Sequence, residues 1–139
     1  KEAGVDIPKL ARDGVTIFVF TAYLDEAERC NLLALLHQGR LLGLGTPDEV
    51  KRLMPGVLLE VHSATPRRAA ALLREELTGA TVGLFGDRVH LATRDATGTE
   101  REARTLLAAA GLDLVSIRPI EPSLEDVFVS VLATRPPST

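Results

Sequence analysis

Within ten positions, Thr21-Ala22-Tyr23-Leu24-Asp25-Glu26-Ala27-Glu28-Arg29-Cys30 brings together a hydroxyl, a phenol, three carboxylates and the chain's one thiol. Paired carboxylates at such spacing can do general acid–base work, one giving a proton while the other takes it. Here, however, the acids open a helix, where negative charge complements the partial positive charge of the first turn, and Asp25, Glu26 and Glu28 read in that role. Cys30 has neither a CxxC partner nor a basic setting and reads as a small, partly buried apolar residue. Three histidines complete the inventory. His37 precedes a hairpin turn, and His62 and His90 fall in two strands that would be central neighbours. Two imidazoles without a third ligand read as sheet-surface residues rather than a metal site. Arg67-Arg68, at the first turn of a helix, could meet an anionic lipid or a partner's loop, and read more simply as a solvated helix start.

The groups at 21–30 depend on the element before them. Thr16-Ile17-Phe18-Val19-Phe20 is an apolar run with no polar face, which predicts a strand over 15–20 buried on both sides, as in the middle of a parallel sheet. A strand, a short turn and then a helix is where α/β proteins place working groups. Residues 8–13 predict a helix end closed by Asp13-Gly14. Leu32–His37 and Arg40–Leu44 predict a hairpin turning at Gln38-Gly39. Thr46 caps a helix that Pro47 starts and that ends near Met54, before a boundary at Pro55-Gly56.

Beyond residue 56 the pattern becomes strand 57–62, helix 65–77, strand 81–85, strand 88–93, helix 99–110 and strand 112–117. This β-α-β-β-α-β order predicts a ferredoxin-like sandwich, an antiparallel four-stranded sheet with two helices on one face. A last helix, capped by Ser123, follows, and 134–139 reads as a tail. The fold class is thus α/β (α+β), divided into 1–55, 56–133 and the tail 134–139. Phe85 is the lone aromatic of the sheet strands, which disfavours RNA binding; Gly83, Gly86 and Gly111 could line an edge-to-edge interface or could be turn and bulge glycines.

Composition narrows the classes further. In 139 residues with a formal net charge of −3 there is no basic field to hold nucleic acid. One cysteine excludes a disulfide framework. No apolar run approaches the roughly 20 residues of a membrane span, and the polar Lys1–Asp6 stretch does not resemble a signal peptide, which points to the cytoplasm.

The first 55 residues resemble the C-terminal part of an ABC-transporter ATP-binding subunit, particularly those serving ABC-2-type exporters. The resemblance is carried in order by Gly14-Val15-Thr16-Ile17-Phe18-Val19, Thr21–Cys30, Gln38-Gly39-Arg40-Leu41 and Gly45-Thr46-Pro47-Asp48-Glu49-Val50. Pro122-Ser123-Leu124-Glu125-Asp126-Val127-Phe128 is similar to the usual ending of those exporter ATPases, so that 57–120 stands as the accessory domain some members carry. The resemblance implies ATP and magnesium in the complete protein, an ABC-2-type permease as partner, a second ATP-binding subunit or tandem half, and a peripheral place on the inner face of the membrane. It also implies that Thr21 and Ala22 lie near the γ-phosphate, with Ala22 at the position of the switch histidine. A methyl group can neither hydrogen-bond a phosphate oxygen nor orient water. A degenerate site that binds nucleotide but hydrolyses it poorly is one reading, and a decayed copy is the other.

The chain contains no Gly-rich loop ending in Gly-Lys-Ser/Thr, no LSGGQ-like signature and no apolar strand ending in Asp-Glu. As given, it is expected to lack catalytic residues, to bind no cofactor by itself and not to turn over ATP. Gly4-Val5-Asp6 is similar to the D-loop, although three residues match by chance as readily. With its apolar strand unpaired, the chain is expected to self-associate. The alternative is a stand-alone small-molecule-sensing or dimerisation module whose first 55 residues are a vestige.

Overall fold

The computed structural model describes residues 7–134, and the Gly4-Val5-Asp6 motif and most of the tail lie outside them. The element order is α1 (Ile7–Arg12), α2 (Leu24–Ala27), β1 (Leu33–His37), β2 (Arg40–Gly45), α3 (Pro47–Lys51), β3 (Val57–Ser63), α4 (Pro66–Glu76), β4 (Ala80–Phe85), β5 (Arg88–Thr93), α5 (Ala96–Ala109), β6 (Leu114–Ile120) and α6 (Leu124–Thr134).

Four strands make one antiparallel sheet in the order β4-β5-β3-β6, with β4 and β6 at its edges. This is the ferredoxin-like arrangement, and the fold is α+β. Alternation along β3 divides the sheet's two faces. Leu59 and Val61 point into a core with Ala69, Leu73, Val89, Leu91, Ala103 and Leu107, beneath α4 and α5. Leu58 points the other way, into a second core with Leu33, Leu35, Val50, Met54, Leu124 and Val127. That second core draws on the β1–β2 hairpin, α3, the sheet and α6 together.

Local chemistry explains most of the element boundaries. Gln38 and Gly39 both take positive φ, 49° and 74°, the signature of a type I′ turn whose twist matches the flanking strands. The Thr46 hydroxyl accepts the Glu49 N–H at 3.2 Å, capping α3 behind Pro47. Gly56, at φ +86°, presses so closely on β5 that a Cβ there would collide with the carbonyl oxygen of Thr93. The last sheet strand starts two residues later than its apolar pattern suggests and runs on through Arg118-Pro119 to Ile120.

Val15–Phe20 corrects the expectation of a buried strand. These residues form no strand, and Phe18 and Phe20 are each 83% exposed. Their rings meet edge to face at 5.0 Å and touch solvent elsewhere. A strand needs neighbours for its N–H and C=O groups, and no strand among the described residues pairs with this segment. The helix expected to open with Asp25, Glu26 and Glu28 is short, regular only from Leu24 to Ala27 before a turn to Cys30.

Candidate functional site

Thr21 and Ala22 sit immediately before α2. The Thr21 hydroxyl accepts the Tyr23 N–H at 2.9 Å and donates to Glu26 Oε2 at 2.9 Å. The hydroxyl is therefore engaged in holding the loop to α2, and Ala22 presents a methyl at the surface. Among the described residues no three His, Cys, Asp or Glu side chains converge as metal ligands. No chemical step is assigned to this loop on its own residues.

Glu28 does more than complement a helix dipole. Its Oε1 accepts the N–H of Leu124 at 3.0 Å, and its Oε2 lies 3.5 Å from Lys51 Nζ. One carboxylate thus satisfies an orphan donor at the start of α6 and ties α2, α3 and α6 together. Asp25 is exposed, and Cys30, half-buried, points its Sγ toward the Glu26 carbonyl at 3.9 Å, in keeping with a packing role. His37 packs edge-on against Phe128 at 5.8 Å. Arg67 and Arg68 are exposed at the start of α4.

The densest convergence of charge lies elsewhere, on the sheet face away from α4 and α5. One row of the ladder crosses all four strands as Gly83, His90, Glu60 and Arg118. At its centre Glu60 Oε1 accepts from Arg118 at 3.2 Å and lies 4.0 Å from Arg88 Nε, while Oε2 faces His90 Nε2 at 3.6 Å. On the other side of the imidazole, Nδ1 meets Asp126 Oδ1 of α6 at 2.6 Å. Asp126 Oδ2 accepts both the N–H and the hydroxyl of Ser123 at 2.9 Å, and Ser123 Oγ accepts the Asp126 N–H at 3.3 Å. This is a reciprocal capping box built from Ser and Asp. Phe85 lies over the imidazole at 4.7 Å, in space kept open by Gly83, where a Cβ would come within 2.7 Å of the ring.

Burial opposes charge on both partners, and the contacts outweigh it. The Asp126 hydrogen bond and charge, with Glu60 behind, hold the His90 pKa above the ordinary histidine value. Bonds from His90 and Ser123 hold Asp126 below the usual carboxylate range despite its burial. His62 shares this sheet face but pairs with Arg88 and Ser116 rather than joining the cluster. The imidazole contacts carboxylates and an aromatic ring, with Thr81 and Ser130 lining the small cavity beside it, and the cluster is an ionic joint between sheet and helix. Sequence reading placed His90 on a sheet surface and missed Asp126. The Ser123-x-x-Asp126 spacing was the one available signal.

No protein-family model matches the chain. The probable multidrug ABC transporter ATP-binding protein YbhF of Escherichia coli (strain K12) is 39% identical over 51 residues, covering 37% of this chain and 9% of that protein. The protein of the same name from Shigella flexneri matches to the same extent. The daunorubicin resistance ATP-binding protein DrrA2 of Streptomyces coeruleorubidus is 27% identical over 143 aligned positions, covering 99% of this chain and 44% of that protein. The chain spans less than half the length of the relatives it matches. The chain is thus weakly similar to ATP-binding proteins of ABC transporters.

Proposed function

We propose that this chain is the distal part of an ATP-binding subunit of an ABC-type exporter, working with an ABC-2-type permease. In this reading residues 1–55 end the ATPase core, and 56–133 form an accessory domain that regulates or dimerises the subunit. The observation that carries the reading is the similarity to DrrA2 along 99% of the chain, through the hairpin region and the sheet alike. A shared second core, in which Leu33 and Val50 meet Leu58 and Leu124, supports treating the two regions as partners.

ATP and magnesium then belong to the complete protein, whose phosphate-binding residues lie outside this sequence. A second ATP-binding subunit or tandem half completes the site, and the permease holds the assembly at the inner face of the membrane. Thr21 and Ala22 lie toward the γ-phosphate there, and the missing histidine makes the site slow. Two measurements test this. The intact mass of the natural protein, captured from its own cells with an antibody to residues 57–133, should be well above 14.9 kDa. A mass near that value overturns the reading in favour of a stand-alone sensing or dimerisation module. In the complete protein, Ala22→His should raise ATP turnover; an unchanged rate removes Ala22 as the limit.

A further inference from the structure

We propose that His90 is a proton-operated clasp that pins the first turn of α6 to the outer face of the sheet. The argument rests on which atoms face the ring. Asp126 Oδ1 approaches Nδ1 at 2.6 Å and Glu60 Oε2 approaches Nε2 at 3.6 Å, so both nitrogens look at carboxylates. A neutral imidazole has one N–H and one lone pair. Either tautomer therefore turns a lone pair toward a carboxylate, and only the imidazolium satisfies both sides. The cations nearby do not compete for those oxygens. Arg118 and Arg88 are directed to the other oxygen of Glu60, Asp87 in the turn balances Arg88, and β4 brings the Phe85 ring and the uncharged Thr81 to this side. The raised His90 pKa and the lowered Asp126 pKa agree with this arrangement.

Asp126 makes the clasp consequential, because the carboxylate that holds His90 also closes the α6 capping box. Leu124, two residues before Asp126, gives its N–H to Glu28 beside α2, whose first turn holds Thr21 through Glu26. Loss of the His90 proton would thus trade an ion pair for the neutral Nδ1–H bond to Asp126, weakening the hold on the start of α6 and, through Glu28, its hold on α2. None of this depends on nucleotide.

The test is amide hydrogen exchange on the full 139-residue chain, followed by NMR between pH 6 and pH 9 and corrected for intrinsic rates, with the sheet amides of Leu59 and Leu91 as internal reference. Protection at Val127 and Ser130 should fall with rising pH by about tenfold for each unit by which the His90 pKa is raised, while the sheet reference holds. In H90Q the fall should vanish. In E60Q, which keeps the Asp126 contact, the transition should move to lower pH. Flat protection in the unaltered chain, or an unchanged fall in H90Q, overturns the proposal. If H90Q does not fold, an unmoved transition in E60Q does the same.

Discussion

In residues 57–120, Leu59, Leu73, Leu91 and Leu107 are removed from solvent, whereas in residues 7–54 Phe18 and Phe20 each stay 83% exposed. Among the described residues, all but two of the large exposed hydrophobic side chains precede Met54. The apolar content of the two stretches is similar in kind; what differs is backbone partnership. The sheet supplies every interior strand with two neighbours, and its helices bury the central strands of one face. The leading region has a two-stranded hairpin and an unpaired extended segment, and its burial depends on α6 and on the sheet's far face. Apolar sequence becomes core only where hydrogen-bonded neighbours bring surfaces together.

Substitutions can sharpen this contrast. Leu73→Ala, in the sheet's own core, should cost ~2–5 kcal/mol and lower the urea midpoint of the whole chain. Leu124→Ala should cost about 2 kcal/mol, at the lower end of that range, because the smaller second core can relax around the gap. Its loss of exchange protection should be confined to residues 24–54 and α6; an equal loss across the sheet would show that the two regions unfold as one.

Acidity gives a smaller effect with a defined direction. The His90 contribution is complete below about pH 6.5 and is lost as pH rises through its raised folded pKa. The Asp126 contribution is complete above about pH 4 and is lost as pH falls through its lowered one. The pair therefore stabilises most between about pH 4 and 6.5, and the unfolding free energy from urea titrations should decline from pH 6 to 9 by about 1.4 kcal/mol per unit of raised pKa. His90→Gln should flatten that decline. Smallest of all, Phe18→Ser with Phe20→Ser should change stability by less than about 0.5 kcal/mol, since neither ring is buried. The same pair should reduce self-association seen by light scattering. A large loss of stability would mean that the segment is held more firmly than its exposure indicates.

The fold of 57–120 was legible because local signals agreed with global pairing. Period-two strands, Gly86-Asp87 at the turn and apolar helix faces at Ala69, Leu73 and Leu107 all point to one arrangement. Phe18 and its neighbours misled for a physical reason: an apolar run reports a preference for burial, and burial depends on a partner surface that the run does not encode. The ionic joint was half visible. A two-residue turn sets Gly83 opposite His90, but nothing local sets Glu60 beside His90 or brings Asp126 across 36 residues. Glu28, whose partner lies 96 residues on, is the same case.

Pro55-Gly56 looks on paper like the place to cut the molecule in two. Gly56 is instead seated against the Thr93 carbonyl, in a conformation that side chains rarely adopt. A seam of that kind has no slack. A residue inserted there would have to lift the first strand off its neighbour, and a transplant of the sheet beginning at Val57 would leave behind the glycine that seats it. Anyone moving this unit onto another carrier should carry the seam along, together with enough of the preceding helix to keep Met54 covered.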